Sequence, residues 1–178
     1  MPLWKSIISC ICCIALAACV RAPDSMSIQS ASISADNLLA QIAWEPDASL
    51  LDALDHGIPL DFVLSLKAQK RALLGMHRDI AEQQRHIQLR YYPLSRYYQF
   101  RDLDMGQTRS FPARASALAA LENIRIPLAT WNAKTVDRYQ LDVAIDRAAL
   151  PGVLRMSSLV RPAWWLNSGS FTWPAAVD

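Results

Sequence analysis

Residues 85–101 read Arg-His-Ile-Gln-Leu-Arg-Tyr-Tyr-Pro-Leu-Ser-Arg-Tyr-Tyr-Gln-Phe-Arg, interleaving guanidinium groups with phenol rings. Guanidinium forks bind carboxylate or phosphate, and aromatic faces stack, so this is the chemistry of a binding surface. In a cytosolic protein it would suggest stacking on nucleic acid. Hydrolysis needs a nucleophile with its base, paired carboxylates or a metal cluster. The three histidines, His56, His77 and His86, stand in no HExxH or HxH spacing, so zinc would need ligands gathered from afar. Asp142 and Asp146 are four residues apart, about 13 Å on a strand. A retaining glycosidase pair needs about 5 Å. No serine sits in a GxSxG or SxxK context, and Asn167-Ser168-Gly169-Ser170 reads as a turn between strands. No catalytic residue, cofactor or metal ligand is assigned, and the expectation is a protein that binds.

The cysteines carry a different chemistry. All four, Cys10, Cys12, Cys13 and Cys19, fall in the first nineteen residues, so the rest of the chain has no thiol for a disulfide or a metal. Lys5 gives a weak positive start, and residues 7–18 are an uncharged apolar run. That run is too short for a bilayer helix of about 20 residues but fits an export signal. It ends Leu16-Ala17-Ala18-Cys19, which resembles the lipobox of bacterial lipoprotein signals, where the cysteine sulfur receives diacylglycerol. The expected organisation is a signal at 1–18, a lipidated tether at 19–26 containing Pro23, and one domain at 27–178. An ordinary cleaved signal or an uncleaved anchor, with Cys19 incidental, is the alternative. Val20 rather than aspartate after the cysteine favours, by the same resemblance, the outer membrane over the inner, with the domain facing the periplasm.

Charge is nearly balanced, with 18 Lys and Arg against 16 Asp and Glu, a formal net of +2. Nucleic-acid binding needs a sustained basic excess, and an exported chain does not meet nucleic acid, so that partner is excluded. The expected partners are the membrane, through the lipid anchor, and an envelope protein. The distribution is uneven: residues 36–61 hold Asp36, Glu45, Asp47, Asp52, Asp55 and Asp61 with no Lys or Arg. Residues 67–101 hold eight Lys and Arg against Asp79 and Glu82. Such segments either pair inside the fold or present two surfaces to different partners.

With 52% hydrophobic residues, the chain can bury a real core. Alternation predicts an edge strand over 27–34, a strand over 38–44, a long strand over 60–70 and another over 138–146. Leu50, Leu51 and Leu54 predict a short helix over 49–56, closed by Gly57. Residues 111–122 predict a second helix, with Pro112 in its first turn. Residues 71–85 are ambiguous; Gly75 favours a hairpin, with a strand resuming at His86. Two strands then adjoin at Pro93, Ile87, Leu89 and Tyr91 facing inward from the first and Leu94, Tyr98 and Phe100 from the second. That leaves Arg90, Tyr92, Arg96, Tyr97 and Arg101 as the candidate interaction surface. A last strand system carries Leu154, Met156, Leu159, Trp164, Trp165, Phe171 and Trp173, its tryptophans assigned to the core. The fold class is α+β, mainly antiparallel β, as a twisted sheet or sandwich with two short helices.

Several pieces together resemble one Gram-negative bacterial family, the domain of unknown function 4390. They are Ala53-Leu54 with Gly57-Ile58-Pro59-Leu60 and Phe62; Leu89-Arg90-Tyr91 with Leu94 and Tyr98; Ser110-Phe111 with Ala117-Leu118; Leu141-Asp142 with Leu150-Pro151; and the ending from Trp165 to Trp173. Members usually carry tryptophans where this chain has Ala72-Leu73-Leu74. The resemblance implies no activity, cofactor or catalytic residue. Its gene neighbours, a sensor kinase and its response regulator, imply an envelope role connected with sensing. The expected function is that of a non-catalytic envelope lipoprotein binding another protein, with a binding module for a lipid or other apolar or anionic ligand as alternative and a hydrolase third.

Overall fold

Strand alternation dictates most of this structure. The computed structural model describes residues 26–34, 36–72, 75–128, 136–150, 152, 155 and 164–175. The expected leader with Cys19, and Leu154, Met156 and Leu159 of the expected last strand system, lie outside the described residues. In chain order the elements are β1 (Met26–Ser34), β2 (Asn37–Trp44), α1 (Ala48–Asp55), β3 (Leu60–Arg71), β4 (His77–Tyr92), β5 (Tyr97–Asp102), β6 (Thr108–Phe111), α2 (Arg114–Glu122), β7 (Asn123–Pro127), β8 (Arg138–Ile145) and β9 (Phe171–Pro174). They form a three-stranded sheet, β1-β2-β7, and a six-stranded sheet, β6-β5-β4-β3-β8-β9. All pairings are antiparallel. The fold is α+β and mainly antiparallel β, as expected.

The two sheets share one core because each has an apolar face. Leu60, Phe62, Leu64 and Leu66 of β3, Ile87 and Leu89 of β4, and Leu141 and Val143 of β8 are buried on one side of the larger sheet. Leu38, Ala40, Ile42, Trp44, Ile124 and Ile126 supply the facing side of the smaller one. Trp44 meets Phe62 edge-on, ring centroids 5.4 Å apart, joining the sheets. The core also takes in Leu50 and Leu54 of α1 and Ala117 and Leu121 of α2. Burying such a side chain stabilises by about 1.5–3 kcal/mol.

Asp47 starts α1, its carboxylate accepting the Ser49 N–H at 2.6 Å, which satisfies one of the amides a helix start leaves bare. Gly57 ends it at φ +80, a backbone shape open to glycine. A Cβ there would lie 3.3 Å from the Tyr91 carbonyl oxygen and 3.6 Å from the Pro93 ring. The helix exit is thereby locked under the end of β4.

Four expectations need correction. β4 starts at His77, nine residues before His86, because residues 77–85 pair with β3 through Arg71↔His77 to Leu64↔Arg85. Gly75 does turn this hairpin, at φ +75. Leu94 is not on an apolar strand face; it sits in the β4–β5 turn, 104% exposed. Phe111 closes strand β6, and α2 begins only at Arg114, so Pro112 precedes the helix. Trp165 is 57% exposed, whereas Trp164 is buried.

Candidate functional site

Register decides which residues of 85–101 share a face. Tyr92 pairs with Tyr97, Arg90 with Gln99 and Gln88 with Arg101. Directly opposed residues point the same way, so Arg90, Tyr92, Tyr97 and Arg101 all lie on the outer face, away from the core. The Arg90 guanidinium sits over the Tyr92 ring, 5.0 Å from its centroid, within the range of a cation–π contact. Arg101 is exposed on β5, with Gln88 opposite it on β4 and Thr108 on β6. Among the described residues, neither Arg90, Arg96 nor Arg101 has a carboxylate within salt-bridge distance.

Arg96 is placed differently. It occupies the four-residue turn between β4 and β5 at φ +57, and its N–H donates to the Tyr92 carbonyl at 2.8 Å. Of the described residues with positive φ, it is the one that is neither glycine nor aspartate. Arg85, which opens the stretch, points inward: its Nη2 donates to the Pro127 carbonyl at 2.9 Å, tying the larger sheet to β7, while its buried Nε finds no partner.

The opposite face of the same hairpin is core. Tyr91 and Tyr98 lie 4.6 Å apart, centroid to centroid. The Tyr98 hydroxyl donates to Asp55 at 2.8 Å, and Asp55 also pairs with Arg114. Burial and the neighbouring Asp55 carboxylate push the Tyr98 phenol up to about 12. The acidic segment therefore reaches across to α2 rather than to the basic stretch in its ion pair. The two segments meet again at Asp61, through a hydrogen bond from Gln88 at 2.8 Å. Burial raises the Asp61 pKa; the Gln88 bond, Arg90 and His86 oppose that rise, and Asp146 adds to it.

The rest of the outer face is knitted together. Gln69 donates to Asp79 at 2.6 Å and to Gln140 at 3.0 Å, and accepts from Arg138 Nε at 2.6 Å. Lys67 pairs with Asp79 at 3.2 Å. Ser170 donates to Asp142 at 2.6 Å, which leaves Asp142 a hydrogen-bonded outer-face residue. Gly169, at φ +66, donates to Asn167 Oδ1 at 2.7 Å, the turn that the sequence predicts.

Acid–base chemistry has one further place to be sought. An open depression of about 500 Å³ is lined by Arg71, His77, Asp137, Arg138, Thr172, Trp173 and Pro174. It brings a histidine and a carboxylate to one wall, but Asp137 Oδ2 accepts the Arg71 N–H at 2.5 Å, and neither serine nor cysteine lines it. His86 meets Asp104 at 3.4 Å, and His56 Nδ1 approaches the Asp52 carbonyl at 2.7 Å at the end of α1. Among the described residues no group of three or more His, Cys, Asp or Glu is placed to hold a metal. Trp164 and Trp165 line a depression with Ala144, Ile145 and Arg147, which does not include Tyr91 or Tyr98. The signal that sequence reading lacked was register: the outer-face hub at Gln69 joins residues up to 71 positions apart.

This is a two-sheet α+β protein whose best-defined surface is an arginine–tyrosine face on a β-hairpin. Residues 24–174 match the family described as Domain of unknown function (DUF4390), and the chain belongs to that family. No curated protein and no solved structure matches it significantly.

Proposed function

We propose that this protein is a non-catalytic accessory protein of the bacterial envelope, exported and held by acyl chains on Cys19, that binds another envelope protein through the outer face of β4 and β5. The observation that carries the reading is the placement of Arg90, Tyr92 and Arg101 on one face of adjoining strands, with no carboxylate among the described residues within salt-bridge distance of Arg90, Arg96 or Arg101. Cations held on a sheet and not tied up in salt bridges, Arg90 steadied by the Tyr92 ring, lose little entropy when a complementary surface arrives. The side of the hairpin that a lipid or other apolar ligand would need is occupied by Leu89, Tyr91, Tyr98 and Phe100, which favours surface contact over a ligand held between the sheets. The family's genes are often found near those for a sensor kinase, which makes such a kinase the first partner to examine, and Val20 after a lipobox-like Cys19 supports an outer-membrane anchor facing the periplasm.

A photo-crosslinking amino acid at Gln99, between Arg90 and Arg101, is the test in living cells. It is expected to capture one envelope protein, and Arg90→Glu with Arg101→Glu to abolish capture. Capture that persists in the double variant would overturn the face. Labelling with a palmitate analogue is expected in the wild type and lost in Cys19→Ser; undiminished labelling would overturn the anchor.

A further inference from the structure

The turn between β4 and β5 is the most exposed apolar point among the described residues, and it is closed by hydrogen bonds. Leu94 at its apex is 104% exposed, and Tyr97 beside it 46%. Exposed loops that carry a bare leucine are ordinarily loose; this one is fastened twice. The Arg96 N–H donates to the Tyr92 carbonyl at 2.8 Å, and Ser95 Oγ donates to the same oxygen at 3.4 Å. Arg96 holds a left-handed conformation in which glycine would be less strained. Strain retained at an exposed arginine motivates a search for what the arginine meets.

The chemistry is layered by distance from the apex. Leu94 is foremost. Arg96, Tyr97 and Tyr92 form the next level, and Arg90 and Arg101 stand further back along their strands. No Asp or Glu occurs from residue 83 to residue 101. Asp55 of α1, which also accepts from Tyr98 of β5, is already engaged with Arg114. An apolar tip, then phenol rings, then guanidinium groups is the order in which side chains meet the interface of an anionic bilayer: apolar in the acyl boundary, tyrosine at the headgroups, arginine reaching phosphate. A convex tip also suits a yielding lipid surface, whereas a protein would have to supply a matching socket.

We propose that the β4–β5 turn is a membrane-contact tip, in which Leu94 enters the interface of an anionic lipid surface while Arg96 and Tyr97 engage its headgroups. The tip would orient the domain on the bilayer beside its anchor and leave Arg90 and Arg101 near the surface for a protein partner. It draws on the anchored reading only in that an anchored domain has a bilayer within reach.

The test uses the full chain reconstituted into vesicles of phosphatidylcholine, with or without phosphatidylglycerol, with an environment-sensitive fluorescent amino acid replacing Ser95. The same probe replacing Met76, 63% exposed in the β3–β4 turn, is the control. With phosphatidylglycerol, the Ser95 probe is expected to shift to the blue and to be quenched by nitroxide-bearing lipids, and the Met76 probe to remain aqueous. Leu94→Asp is expected to abolish the shift. An aqueous Ser95 probe on vesicles that carry the protein would overturn the tip, while failure of the protein to float with vesicles would count against the anchor instead. An equal shift on phosphatidylcholine alone would overturn the anionic assignment. A photo-crosslinker at Leu94 that captures protein rather than lipid in cells would overturn the membrane contact.

Discussion

On the β3–β8 half of the outer face, Gln69, Asp79, Arg138, Gln140, Asp142 and Ser170 satisfy one another. On the β4–β5 half, Arg90 and Arg101 carry the same outward alternation and meet no carboxylate among the described residues. Both halves sit on one continuous apolar underside, so the fold does not require the difference. A buried polar group left unbonded is costly, whereas an exposed cation is solvated at little cost. Gln69 is 6% exposed and must be bonded; Arg101 is exposed and need not be. One half is thus polar for the sake of its own structure, and the other is polar toward solvent.

The largest expected effect tests that contrast directly. Gln69→Ala removes three hydrogen bonds, taking a partner from the exposed Asp79, which keeps Lys67, from Gln140, which keeps Asp142 and Ser170, and from Arg138. It is expected to cost about 2–3 kcal/mol in urea unfolding, while Arg101→Ala stays within about 0.5 kcal/mol. Equal losses would erase the distinction between the halves. A smaller and opposite effect is expected at the turn. Arg96→Gly relieves the left-handed strain and is expected to raise stability by about 0.5–1 kcal/mol while weakening membrane or partner contact. Lower stability would mean that the arginine side chain supports the turn itself.

Titration sharpens the seam between the halves. The Gln69 hydrogen bond, against an opposing effect of burial and with help from Lys67, holds the exposed Asp79 below its ordinary value of 3.8. Burial holds Asp61 above 3.8. Carboxyl NMR is expected to show Asp61 protonating first as pH falls and Asp79 later. For Asp61 the folded state takes the proton more readily than the unfolded chain, so its contribution declines as pH rises from 3.8 through the raised folded value. For Asp79 the sign reverses: its contribution is present above 3.8 and is lost as pH falls through the lowered folded value. Asp61→Asn, which can still accept from Gln88, is therefore expected to be more stable than wild type at neutral pH, with the advantage gone near pH 3.8. Arg90→Ala, which removes an opposing cation, is expected to move the Asp61 midpoint further up.

Much of the fold is legible in the sequence because alternation is local. The strands at 60–70 and 138–146 and the helix closed by Gly57 emerge within a residue or two of their observed limits. The elements that escape sequence reading lack such patterns. β6 is four residues with three exposed, and β7 is identified by its pairing with β2. Residues 77–85 carry a helix-friendly composition that β3 overrides by pairing with them. Leu94 reads as apolar and therefore buried, yet hydropathy cannot reveal that the chain reverses on either side of it.

The arginine–tyrosine stretch shows where the boundary lies. By itself the sequence determined that Arg90, Tyr92, Tyr97 and Arg101 stand out of phase with Ile87, Leu89, Tyr91, Tyr98 and Phe100, because a strand turns every second side chain to the same face. It also determined the absence of acid over residues 83–101. Only the tertiary structure decided which of these residues are free to act. Antiparallel register set Tyr92 against Tyr97, the turn carried Leu94 and Arg96 to an apex, and contacts distant in sequence consumed Asp55, Gln69 and Arg85. Partnership depends on which strands become neighbours, and that is settled by burying the two apolar faces together.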